Sequence, residues 1–322
     1  AEFLAKTVAP SRIDDVRLVA GLCKCDLVTH MIKEFPSLQG VMGEEYASRE
    51  GYDEEICLAI HEHYLPIRAG GQLPTSLIGA LVGLADRMDT IAGCFAVGLL
   101  PSGSADPFAL RRHALAIIRV LEEMQWGLSL EAFIGKALDI LGEDIEFDGG
   151  LVFSAVTGFF RERYKQMALR LGYESELVES VISVGFDRID QLQPRLGQLR
   201  KFASESEEFQ AVVLTSKRVK NILKNQERPF GVDPGLFNES CESTLWMAFK
   251  ALKDDIERCL ENGEYYRSAM LMAGLRKPVD EFFEGVEVLT RDDMTLRQNR
   301  VGLLQHISRL FLCVADFSVF SI

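Results

Sequence analysis

No apolar stretch of the 322-residue sequence is long enough and free enough of charge to cross a bilayer. The longest candidate, 76–101, is interrupted by Asp86, Arg87 and Asp89, which would be costly at a bilayer centre, so a membrane span is excluded. Glycine-rich phosphate loops of P-loop or Rossmann spacing are missing, which removes both of those routes to a bound nucleotide. CxxC pairs are missing too. The seven cysteines are scattered, and the one close pair, Cys23 and Cys25, has no second pair to complete a zinc site, so reduced structural thiols are expected. There is no internal repeat, no low-complexity tract and no run of alternating strands joined by hairpin turns. An initiator Met and a basic-then-apolar leader are also lacking, so a piece of a longer cytoplasmic protein is expected.

What remains is an apolar and acidic chain. Apolar residues make up 48%, enough to fill real cores, and the length suggests two or three of them. A net charge of −13 favours solubility and opposes indiscriminate attraction to polyanions, although a local basic cluster can still bind one.

Helical periodicity dominates. Leu110, Ala114, Ile117, Ile118 and Leu121 recur at three and four. Leu245, Phe249, Leu252, Ile256 and Leu260 repeat this spacing, with Asp254, Asp255 and Glu257 facing away and Gly263 as a stop. A third stripe runs through Leu296, Leu303, Leu304, Ile307, Phe311 and Val314. The expected fold is all-α and multi-domain. Loops are read at 66–74, 101–107, 143–150 and 228–238, where Pro and Gly cluster. Domains are accordingly drawn at 1–110, 111–195 as a helical linker, and 196–322 as a terminal helical bundle.

Two constellations carry candidate chemistry. The first holds Asp26 with His30, His61 with His63 in AIHEHYLP, and Asp86 with Asp89 in LADRMDT. Carboxylates and imidazoles from several helices could hold a divalent ion that activates water. The order of these segments resembles the HD superfamily of metal-dependent phosphohydrolases. The namesake His position is Cys25, and no histidine precedes His30, so two ligands of that family are missing. An HD-like helical domain without bound metal or catalytic residues is the expectation, with Asp26 and Asp86 serving capping or hydrogen bonding between helices.

The second constellation is basic. From 195 to 228 the charge reverses, with Lys217, Arg218, Lys220 and Lys224 at its centre. Lys217, Lys220 and Lys224 share one helical side, with Arg218 and Asn221 beside them, while Val219, Ile222 and Leu223 form the apolar side. Such cations suit phosphates, and Asn or Arg can read exposed bases in single-stranded RNA loops. Arg297, Asn299 and Arg300 near the end are further candidates, for RNA contact or for packing the bundle. Arg111, Arg112 and Arg119 form a smaller basic set.

Longer segments are more specific. KCDLVTHMIKEFPSLQGVMGEEYA, AIHEHYLP, LADRMDTIAGCFAVGLLPSGSADPFALRRHALAIIRVL, KPVDEFFEGVEVL and LRQNRVGLLQHISRLF resemble the β subunit of bacterial two-subunit glycyl-tRNA synthetase, in order, from about residue 18 to 316. The resemblance implies the carboxy-terminal portion of that subunit: an HD-like domain, a linker and an anticodon-binding bundle. It further implies that glycine tRNA and the α subunit are the partners, with no DNA and no membrane. No cofactor is implied in this chain, because ATP and Mg would act on the α subunit. Two alternatives from other classes stay open: an HD-type metal-dependent phosphohydrolase, and a helical interaction module that never meets RNA.

Overall fold

The computed structural model describes residues 1–226 and 228–321, and among them every regular element is helical, with one isolated antiparallel bridge between Ser102 and Ala105. Backbone packing sorts the chain into two compact units, Ala1–Met167 with Asp187–Asp190, and Ala168–Phe186 with Gln191–Ile322.

The first unit contains α1 (Glu2–Val8), α2 (Ile13–Leu22), α3 (His30–Glu34), α4 (Val41–Arg49), α5 (Glu54–Glu62), α6 (Leu77–Ala96), α7 (Leu110–Met124), α8 (Leu130–Leu141) and most of α9 (Gly149–Arg170). Helix α6 is its axis, packed against α2, α5, α7 and α8. Its sequence explains why: Ile78, Leu81, Leu84, Met88 and Ile91 bury several sides of the helix at once. The Ser76 hydroxyl caps it by accepting from the Gly79 amide. The charge in its middle, Arg87, is buried and donates to the carbonyls of His63, Gly83, Tyr64 and Leu65, pinning the end of α5 to α6. Gly83 permits the approach, because a Cβ there would lie 2.4 Å from the His63 carbonyl oxygen. The periodic stripe Leu110, Ala114, Ile117, Ile118 and Leu121 is buried on α7 as its spacing predicts.

The second unit contains α10 (Ser175–Ile182), most of α11 (Ile189–Glu205), α12 (Phe209–Leu223), α13 (Ser240–Glu261), α14 (Tyr265–Ala273), α15 (Arg276–Gly285) and α16 (Met294–Leu312). Helix α12 packs on α14, α15 and α16, and α13 packs on the same three. Phe202 meets Phe209, Tyr266 and Phe317 edge-on at 5.8, 5.8 and 6.5 Å, an aromatic core near one end. The loops predicted at 66–74, 101–107, 143–150 and 228–238 fall between the α-helices, apart from Gly149 and Gly150, which open α9, and 228–238 holds a single 3-10 turn, Pro234–Leu236.

The two-unit division differs from the three segments drawn from sequence. Residue 195 lies inside α11, which accommodates Pro194, and α7 and α8 pack on α6 or join it in one unit, not in a separate linker. The boundary drawn near 195 therefore falls in the middle of a continuous helix.

Candidate nucleic-acid interface

Several of the acid and imidazole residues of the first unit are taken up by local contacts. His30 is exposed at the start of α3. His61 Nδ1 lies 2.7 Å from Glu44 Oε2, and Asp86 is paired with Lys24. His63 is fully buried, with Nδ1 2.6 Å from the Ile60 carbonyl oxygen. A carbonyl only accepts, so Nδ1 carries the proton and Nε2 is the lone-pair nitrogen. Burial lowers the His63 pKa and keeps the ring neutral. Asp26 is buried and its Oδ2 accepts from the Gly40 amide at 2.7 Å, while its Oδ1 and His63 Nε2 have no hydrogen-bond partner among the described residues. Among the described residues, no three His, Cys, Asp or Glu side chains form a group that could hold a metal ion. The residue between the two histidines of AIHEHYLP has a structural role: buried Glu62 accepts from the Thr75 and Ser76 amides, each at 2.6 Å.

The basic constellation lies on α12. Ala211, Val212, Val213, Thr215, Ser216 and Val219 bury one side of the helix, which turns the cations outward. Arg218, Lys220, Asn221 and Lys224 are exposed and Lys217 is half-buried. Two of the cations are anchored. Arg218 Nη1 donates to Asp280 Oδ1 at 2.8 Å, with its guanidinium 4.5 Å from the centre of the Phe283 ring. Lys220 Nζ donates to Asp316 Oδ2 at 2.8 Å and to the Ser318 hydroxyl at 2.9 Å. Burial alone would raise the Asp316 pKa, but the hydrogen bonds from Lys220 and Ser318 more than offset it, and the carboxyl is held below its ordinary range. Lys224 has no ion pair among the described residues. Lys220 and its partner Asp316 line a recess of about 400 Å³ together with Ser183, Ser216, Ser308 and Phe311. Of the α12 cations, Lys220 is the one that borders this recess.

The exposed Arg218–Asp280 pair contributes little to stability, of order 0–1 kcal/mol. The effect of the two pairs is to orient Arg218 and Lys220 while leaving both side chains about half exposed, at 44% and 56%. The acids that do this, Asp280 and Asp316, carry no signal near α12 in sequence, being 62 and 96 residues away.

The candidates on α16 divide. Arg297 is half-exposed, whereas Asn299 and Arg300 are buried. Asn299 makes two hydrogen bonds to the Asp233 backbone, at 2.7 and 3.0 Å. Arg300 bonds Glu242 Oε1 and the Glu287 carbonyl. Gln305 adds bonds to the backbone of residues 226, 228 and 230, and Gly302 admits the Gly231 carbonyl, which would lie 2.6 Å from a Cβ. Asn299, Gly302 and Gln305 thus form one seam, three residues apart, that fastens the 228–238 loop onto α16. Asn299 and Arg300 give their polar atoms to the bundle interior and not to solvent. Arg111 is half-buried, Arg112 is exposed, and Arg119 bonds the Gly71 carbonyl at 3.1 Å.

The profile of the family described as "Glycyl-tRNA synthetase beta subunit" matches residues 1–183, and that of the "DALR anticodon binding domain" matches residues 212–312. The second match begins on α12 and ends with α16. The glycine–tRNA ligase beta subunit of Syntrophotalea carbinolica is 41% identical over 316 residues, which are 98% of this chain and 45% of that protein. That of Geotalea daltonii is 41% identical over 317 residues, 98% of this chain and 46% of that protein. That of Geobacter sulfurreducens is 44% identical over 291 residues, 90% of this chain and 42% of that protein. The chain spans somewhat under half the length of these relatives.

Proposed function

The chain belongs to the glycyl-tRNA synthetase β-subunit family, and on that premise we propose that its terminal bundle holds the anticodon arm of a glycine tRNA. One observation carries the reading most directly: α12 turns Lys217, Arg218, Lys220, Asn221 and Lys224 away from its buried side, at the start of the anticodon-binding match. In a chain of net charge −13, cations kept in a row on one helix suit a polyanionic backbone. Arg297, on α16, is the further candidate that stays accessible.

The mechanism is positioning. Phosphate contacts fix the register of the RNA, and remote binding energy holds the acceptor end where a separate α subunit, with ATP and Mg, would activate glycine and transfer it. This chain supplies no reacting group in that scheme. The HD-like unit and its basic residues Arg111 and Arg112 would support the tRNA body or the α subunit, in the cytoplasm. Among the described residues no helix is long and apolar enough to cross a membrane.

Filter binding of glycine tRNA, an anticodon-substituted glycine tRNA and an unrelated tRNA tests the reading. Glycine tRNA should bind most tightly, and the anticodon change should weaken it. Equal affinity for all three would defeat anticodon recognition by this chain.

A further inference from the structure

A second surface feature of the same bundle lies on α13 and α16. Helices α13 and α16 bring three rings together. Trp246 stacks on Phe249 with 5.3 Å between centroids and 20° between planes, and His306 meets them at 5.7 and 5.6 Å. Phe249 is buried and supports the indole from the inside, whereas Trp246 and His306 are half-buried and reach the surface. Lys250 Nζ sits 5.1 Å from the centre of the Trp246 ring. Lys253 follows on α13, where it also pairs with Glu257 at 3.5 Å, and Arg309 is exposed one turn after His306 on α16. Burial, Arg309 and Lys253 together lower the His306 pKa, which leaves the ring uncharged between cations.

We propose that Trp246 and His306, rimmed by Lys250, Lys253 and Arg309, form a stacking platform for an unpaired base of the bound RNA. The inference rests on the tRNA-binding reading above and names a further contact within it. Two physical arguments select this occupant. An aromatic face stacks on any base, and neighbouring cations neutralise the flanking phosphates, so the combination suits single-stranded RNA. A buried ring behind Trp246 also holds the indole in place before binding, so little side-chain freedom is given up when a base lands on it. Lys250, resting on the indole, can swing from the ring to a phosphate as the base arrives.

The chain has two tryptophans, Trp126 and Trp246, so a Trp126→Phe chain reports on Trp246 alone. Titration of that chain with glycine tRNA should change its indole emission in step with binding. Trp246→Ala should weaken binding roughly tenfold, Trp246→Phe should retain most of the affinity, and Lys250→Ala should lower the salt dependence. Matching circular-dichroism melts for the Phe variant guard against loss of fold.

Saturable tRNA binding with unchanged Trp246 emission, and with Trp246→Ala as tight as the parent, overturns the platform and leaves the α12 interface standing. A weakened Trp246→Ala beside an unaffected Lys217/Lys220/Lys224 triple variant supports the platform and removes the α12 interface. Emission that responds to an added α subunit but not to RNA overturns the platform in favour of a protein contact. Failure of the parent chain to bind tRNA overturns both.

Discussion

Arg300 Nε donates to Glu242 Oε1 at 2.9 Å inside the terminal bundle, with both side chains buried. The pair does more than neutralise two charges. The other oxygen of Glu242 accepts from the Asn238 and Glu239 amides and so caps α13, while Arg300 also reaches the Glu287 carbonyl. One linkage joins α16 to the start of α13 and to the chain after α15.

Removing one member of a buried pair leaves the other charge uncompensated, at a cost of about 3–5 kcal/mol. Arg300→Ala should therefore lower the urea-unfolding free energy by that amount. Glu242→Ala should cost at least as much, because it also strips the α13 cap. An Arg300→Ala chain of unchanged stability and reduced tRNA affinity would place Arg300 at the RNA and not in the core.

Glu122 predicts a pH dependence of stability. Burial raises its pKa from 4.5 to about 7, against the hydrogen bond from Tyr164 and the charge of Arg119. The folded chain keeps this proton where the unfolded chain has released it, so the stability contribution present at low pH is lost as pH rises from about 4.5 to about 7. The loss is at most about 3 kcal/mol for a shift of this size. Glu122→Gln should remove it, and unfolding midpoints of the two chains should match near pH 4 and separate by pH 8 in favour of Gln. Parallel pH profiles would contradict the assignment.

The first unit should bind no stoichiometric transition metal. Among the described residues no three of its His, Cys, Asp or Glu side chains form a group that could hold a metal, and His61 and Asp86 are already paired with Glu44 and Lys24. Elemental analysis of protein purified without chelator should find metal well below one equivalent, and a chelator should leave the thermal midpoint unchanged. One equivalent of metal with phosphatase activity would restore the hydrolase alternative.

Periodicity along the chain carried much of this fold, because each stripe reports a local helix face. The α7 stripe is wholly buried, and on α13 Leu245, Phe249 and Ile256 are buried while Asp254, Asp255 and Glu257 face out. Gly263 adopts φ +69° just after α13, as a helix stop requires. Less visible were features set by distant partners. The boundary drawn near 195 falls within α11, since composition alone does not reveal that this helix runs on through Pro194. The α12 cations were legible from charge reversal, but their anchors Asp280 and Asp316 were not. Asn299 and Arg300 illustrate the same limit. A polar pair on an amphipathic helix can face solvent or serve a buried seam, and only the 228–238 loop and Glu242 decide which. Trp246 gave no local signal because His306 lies on another helix.

The salt dependence of glycine tRNA binding, measured for the parent chain and for Lys217→Ala/Lys220→Ala/Lys224→Ala, tests the α12 interface most directly. Every phosphate deprived of its lysine should weaken binding and flatten the slope of log affinity against log salt by roughly one. The account predicts a slope shallower by about two to three for the triple variant. Identical affinity and slope for both chains would contradict it.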